Sequence, residues 1–129
     1  NKLGRKVGFS PIDHKELDNR GKEGKLREAD LILRATQNNK IIITLDERGQ
    51  QLSSLDFATM LALYRDNGDK TLAFVIGGAD GLHKSVTKSC SRSLSLGKMV
   101  WPHIMVRIML AEQLFRAVSI LTGTPYHRA

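Results

Sequence analysis

The chain holds one cysteine, Cys90, among 129 residues. A single thiol closes no disulfide within the chain and builds no cysteine-rich zinc cage, and it suits a reducing compartment, so a cytoplasmic address is expected. Histidine offers metal little more. The four histidines, His14, His83, His103 and His127, fall in no His-Glu-x-x-His or comparable ligand spacing, and no metal site is expected. Aromatics make up only 5% of the chain, and none stands in the Lys/Arg-Gly-Phe/Tyr pattern of an RNA-stacking sheet. Nucleic-acid recognition would have to lean on shape and charge. A membrane span is absent too. The most apolar stretch, Val100 to Leu121, is broken by His103, Arg107, Glu112 and Arg116, each expensive in hydrocarbon. It reads as a buried helix instead. No signal sequence opens the chain. Its first residue is Asn1 rather than Met, so the natural N-terminus is expected to lie upstream.

What is present fits one soluble domain. The length suffices for one core and is short for two. The 41% hydrophobic and 26% charged content is ordinary for a globular protein and excludes disordered and collagen-like classes. Repeats, low-complexity tracts and linkers are missing. Charge is unevenly placed. Of the net +7, +6 belongs to Gly81–Ala129, where Lys84, Lys88, Arg92, Lys98, Arg107, Arg116 and Arg128 face only Glu112. Such a basic half suits a polyanionic partner, because Lys and Arg release counterions when they neutralise phosphates. A merely solvated face is the plainer alternative.

Periodicity gives the elements. The opening through Glu28 is polar and glycine-punctuated, with a weak extended candidate around Ile12 to Leu17. A helix is predicted from about Lys22 to Gln37, with Leu26, Ala29 and Leu33 at i, i+3 and i+7. Ile41-Ile42-Ile43-Thr44-Leu45 is short and β-branched, the pattern of a strand buried on both faces, and Asp46 to Gln51 reads as a polar loop. Ser53 with Asp56 resembles a capping box before an apolar helical stripe that Asn67-Gly68 stops. Thr71 to Ile76 is a second apolar strand, Lys84 to Arg92 a short helix, and Leu94 to Met99 a third strand. Pro102 introduces a long helix from His103 to about Leu121, and Gly123 is its stop. Apolar strands alternating with helices imply an α/β fold with a parallel sheet covered on both faces.

Parallel sheets bind ligands beyond the carboxyl ends of their strands. Two loops lie there, Thr44-Leu45-Asp46 and Gly77-Gly78-Ala79-Asp80-Gly81. The glycines let backbone approach a ligand, although a plain tight turn needs them as well. Their spacing is neither the dinucleotide fingerprint nor a P-loop. Leu94 to His103 adds an apolar segment able to hold a purine ring, with core packing as its ordinary alternative. His103 and His127 are candidate bases by chemistry, or simply helix-terminal residues. Glu112 four residues before Arg116 explains that arginine as a structural pair, whereas Arg107 lacks an acid at i±4 and is the better candidate for facing a ligand or partner subunit. Lys84, Lys88 and Arg92 recur every four residues, which would place three cations on one helical face as a phosphate-binding stripe.

Taken together, Ile41–Asp46, Phe74-Val75-Ile76-Gly77-Gly78-Ala79-Asp80-Gly81-Leu82, Leu96–His103, Ala111–Ala117 and the tail Pro125-Tyr126-His127-Arg128 resemble the RlmH family of SPOUT-class ribosomal RNA methyltransferases. The resemblance covers nearly the whole chain and is strongest from Leu72 onward. It implies N3-methylation of a pseudouridine in large-subunit (23S) ribosomal RNA on the assembled ribosome. It further implies S-adenosylmethionine as methyl donor, a cytoplasmic homodimer and a C-terminal trefoil knot, which general folding rules disfavour. By position, Leu45, Gly77 and Leu96, Gly97, Lys98, Met99, Val100 and Trp101 should line the cofactor pocket. Tyr126, His127 and Arg128 match the family's tail at the active site, where they should complete a pocket with the partner subunit.

Family members open with Met and a strand before the first helix. This chain enters within that helix, so residues 1–129 are expected to form a single SPOUT domain without the family's N-terminal strand. For the chemistry, an imide N–H needs a base, with His127 or His103 as candidates, and the developing anion needs a donor, with Arg128 or Arg107 as candidates. Lys84, Lys88 and Arg92 would contact phosphates. Two alternatives stay open: a knotted methyltransferase acting on another RNA nucleotide, and a non-catalytic RNA-binding or ribosome-assembly module.

Overall fold

A computed structural model of the chain describes residues 3–11, 24–77 and 81–128. The extended candidate at Ile12 to Leu17 and the expected helix start at Lys22 lie outside the described residues. After a 3-10 turn at Leu3–Val7 come α1 (Gly24–Thr36), β1 (Ile41–Gln51), α2 (Ser54–Asp66), β2 (Leu72–Ile76), α3 (Lys84–Ser89), β3 (Arg92–Ser95) and α4 (His103–Thr122). The three strands form a parallel sheet in the order β2-β1-β3. The fold is α/β, as the alternating apolar strands predict.

Side-chain alternation along β1 assigns the two faces. Ile43 and Leu45 pack with Phe57, Ala58, Leu61 and Leu110 of α2 and α4, and Phe57 meets Phe74 of β2 with ring centroids 6.2 Å apart. Ile42 and Val75 turn the other way, toward Ala29, Ile32 and Val86 of α1 and α3. Burial on both faces is why β1 and β2 read as continuous apolar runs. Thr44 is fully buried in the middle strand, and its hydroxyl has no hydrogen-bond partner among the described residues.

Local signals set the helix ends. Ser53 Oγ accepts the Asp56 N–H at 3.0 Å, and α2 stops at Asn67 with Gly68 at φ 95°. Helix α4 follows Pro102 and ends at Gly123, φ 75°. There Gly123 N–H reaches Ile120 O at 3.3 Å and Thr124 N–H reaches Ser119 O at 2.9 Å, a Schellman motif in which glycine takes the left-handed position without a Cβ clash. The N-terminal segment is tied to the start of β2 by Ser10 N–H to Lys70 O at 2.8 Å.

Two expectations are corrected. Asp46–Gln51 is not a loop after a finished strand: β1 leaves its pairing with Leu94 after Leu45, and the same Leu94 is met again by Gln50. The excursion is folded on itself, with Asp46 accepting from the Arg48 N–H at 2.9 Å and from its guanidinium at 3.2–3.3 Å. Polar residues carried no strand signal because this part of β1 is largely exposed. Pairing resumes through Gly49, where a Cβ would stand 2.7 Å from the Ser93 carbonyl carbon. The second correction concerns the basic stripe. Helix α3 ends at Ser89, and Ser91 takes the chain into the sheet, its N–H donating to Ile42 O at 2.7 Å and its Oγ accepting from Ile42 N–H at 3.2 Å. Arg92 therefore opens β3, and only Lys84 and Lys88 share the helix. With Arg92 in the sheet, β3 runs Arg92–Ser95, starting two residues before the expected Leu94–Met99 and stopping four short of its end.

Two substitutions test this framework by urea denaturation. Ile43→Ala, at the fully buried centre of β1, should lower stability by about 2–5 kcal/mol. Gly49→Ala should cost about 1–3 kcal/mol by forcing β1 and β3 apart, and an unchanged midpoint would contradict the close approach of the two backbones.

Candidate active site

The carboxyl ends of β1 and β3 and the middle of α4 enclose a cleft of about 530 Å³, inside the roughly 300–1,000 Å³ usual for small-molecule sites. Leu45, Leu94 and Leu96 form its apolar wall, and Gly97, Glu112 and Gln113 bring polar groups to its edge. The loops are pinned together by one hydroxyl. Ser95 Oγ accepts the Gly97 N–H at 3.0 Å and shares its own proton between Gly97 O at 2.7 Å and Glu47 O at 3.1 Å. Gly97 itself sits at φ 121°, a conformation side-chain-bearing residues rarely adopt. Across the cleft, Ser54 Oγ donates to Gln113 Oε1 at 2.7 Å and Gln113 Nε2 donates to Glu112 Oε2 at 3.2 Å.

Of the residues expected at the cofactor, Leu45, Leu96 and Gly97 line this cleft. Gly77 stands apart at the end of β2, where a Cβ would meet Leu82 at 2.8 Å. Lys98, Met99, Val100 and Trp101 run exposed from Gly97 toward α4 and do not line it. The last three are exposed apolar side chains, as are Ile104, Met105 and Ile108 in the first turns of that helix.

The tail folds back against the second half of α4. Glu112 accepts from Arg116 at 2.7–2.8 Å, the Arg116 guanidinium lies 4.8 Å from the centre of the Tyr126 ring, and Phe115 meets Tyr126 edge-on at 4.8 Å. His127 Nδ1 is 3.2 Å from Arg116 Nη1. Arg128 is exposed. The hydrogen bond to Glu112 holds the Arg116 guanidinium charged, above the ordinary arginine range. His103 is exposed at the other end of α4, and Arg107 is half-buried and engaged in an interaction of its own. Thirteen residues separate His103 from Arg116, about 20 Å along a helix. Within one protomer, His103 and the tail do not meet at one point.

Sequence reasoning read Glu112–Arg116 as a structural pair and overlooked that Glu112 faces the cleft while Arg116 receives the tail. The i, i+4 spacing revealed the pair but not its surroundings. His83 caps α3 through Nδ1, which accepts the Ser85 N–H at 3.1 Å. Of the three expected phosphate contacts, Lys84 and Lys88 are exposed. Arg92 is engaged instead by Tyr64, whose ring centre is 5.9 Å from its guanidinium, and by Gln50 Oε1 at 3.2 Å. Among the described residues no group of three metal-ligating side chains converges, and no helix is long and apolar enough to cross a membrane.

Comparison with known proteins supplies the context. Residues 3–127 match a family model described as predicted SPOUT methyltransferase. The chain is 50% identical over 127 residues to the ribosomal RNA large subunit methyltransferase H of Dinoroseobacter shibae, covering 98% of this chain and 81% of that protein. The proteins of the same name from a Ruegeria species and from Roseobacter denitrificans are 51% and 52% identical over 125 residues, each covering 97% of this chain and 80% of the relative. On a parallel sheet whose carboxyl-end loops and last helix enclose a cleft, likeness of this depth along nearly the whole length establishes that the chain belongs to the ribosomal RNA large subunit methyltransferase H family of SPOUT methyltransferases.

Proposed function

We propose that this chain methylates N3 of a pseudouridine in large-subunit ribosomal RNA on the assembled ribosome, with S-adenosylmethionine as donor, acting in the cytoplasm as a homodimer with a knotted C-terminal region. The observation that carries the reading is the roughly half-identical match to ribosomal RNA large subunit methyltransferases H along 97–98% of the chain. The cleft supports it. Leu45, Leu94 and Leu96 suit an adenine ring, and the Gly97 backbone and Gln113 amide suit its polar edges.

When bound, S-adenosylmethionine supplies an electrophilic methyl group. The protein's share is to place the nucleobase nitrogen in line with it and to stabilise the charge left when the imide proton departs. Tyr126, His127 and Arg128 are assigned to the nucleobase, with Leu45, Leu96 and Gly97 on the cleft assigned to the donor; Gly77 and Lys98–Trp101, which do not line the cleft, keep that assignment from the family resemblance alone. His103, about 20 Å along α4 from Arg116, and Arg107 are assigned to that site as contributions from a second copy. Lys84 and Lys88 supply exposed charge for phosphates, and Arg92 adds to it only by releasing Tyr64.

The reading is tested by incubating unmodified ribosomes with the protein and a labelled methyl donor, then mapping the labelled nucleotide. A methyl group on transfer RNA, or on none of these RNAs, contradicts it. His127→Ala and Arg128→Ala should lower turnover by roughly 100-fold or more while calorimetry finds cofactor affinity unchanged. Lys84→Ala and Lys88→Ala should each flatten the salt dependence of ribosome binding by about one unit in the log–log slope. Association indifferent to salt would remove the phosphate role.

A further inference from the structure

His127 faces Arg116, with Nδ1 3.2 Å from Nη1. A guanidinium has donors and no acceptor, so the ring nitrogen facing it must present a lone pair. The single proton of the neutral imidazole then sits on Nε2, and that atom has no lone pair with which to take another. Arg116 is itself fixed from behind, its Nε donating to Glu112 Oε1 at 2.8 Å and its Nη2 standing 2.7 Å from the same oxygen, while the Tyr126 hydroxyl reaches that oxygen at 3.5 Å. The charged and titratable groups linked to the ring through Arg116 are Glu112 on α4 and Tyr126 in the tail, and Arg128 follows His127 in the chain.

We propose that Glu112 and Arg116 are positioning residues that lock His127 as an Nε2–H donor, so that His127 serves methylation by donating a hydrogen bond to the charged nucleobase and not by removing its proton. This rests on the methyltransferase reading above. An imide that has lost its N3 proton spreads negative charge over the flanking carbonyl oxygens, and a preorganised donor aimed at such an oxygen lowers the barrier. The imide proton leaves to solvent water, and His127 keeps its own. His127, a candidate base on sequence grounds, thereby joins Arg128 as a donor to the developing anion.

Nitrogen-15 NMR of the labelled full chain reads the tautomer without any reaction. His127 should show a bare Nδ1 and a protonated Nε2, and Arg116→Met should mix the two tautomers. On ribosomes, His127→Gln, whose amide still donates, should keep at least roughly a tenth of the turnover, whereas His127→Phe should lose about a hundredfold. The wild-type rate should keep climbing above about pH 7.5, past the usual imidazole range. A protonated Nδ1 in the wild-type chain would overturn the proposal. So would equal losses in the two His127 variants together with a wild-type plateau near neutrality that both abolish. If ribosomes gain no methyl group from the wild-type chain while NMR shows the expected tautomer, the functional reading falls and the positioning by Arg116 stands.

Discussion

The pairing of β1 along both of its edges is the constraint on which the molecule depends. A middle strand flanked by parallel neighbours is buried on both faces, which forces its side chains to be apolar and sends one helical layer to each side. The connections must then cross over the sheet, and the loops that begin them gather at one end. When β1 breaks off for four residues and rejoins β3 at the same Leu94, that end gains a fold-back stitched to the opposite turn by the Ser95 hydroxyl. The cleft is the space left between this stitched edge and α4.

Helix α4 serves two surfaces with one sequence. Its buried side, with Leu110, Ala117 and Val118, belongs to the core. Its other side carries exposed apolar residues near its start and the Glu112–Arg116 pair further on, and that pair is where the tail lands. Burying Arg116 without a partner would be costly. Its pairing with Glu112, under the Tyr126 ring, turns that cost into an anchor that orders the last residues of the chain beside the cleft.

Much of this was legible beforehand. The triple-isoleucine strand, the Ser53 cap, the Gly123 stop and the pairing of Glu112 with Arg116 each have a local physical cause, so sequence alone sufficed. The continuation of β1 through Glu47 and Arg48 did not, because an exposed polar strand has no periodic signature and exists here only through its partner. Arg92 failed for a related reason: its four-residue spacing from Lys88 is helical, yet two hydrogen bonds between Ser91 and Ile42 commit the chain to the sheet first. The cleft was half visible, since Leu45, Leu96 and Gly97 sit on it, while Glu112 required knowing which turn of α4 faces the sheet.

The left-handed Gly123 bears on how the tail is aimed. It acts as a pivot with a short arm: a small rotation there swings Tyr126 and His127 through a much larger arc than the same rotation further on. Insertion or loss of a single residue between Gly123 and Tyr126 would therefore mis-aim the terminus. The count of residues between hinge and tip sets where the terminus points.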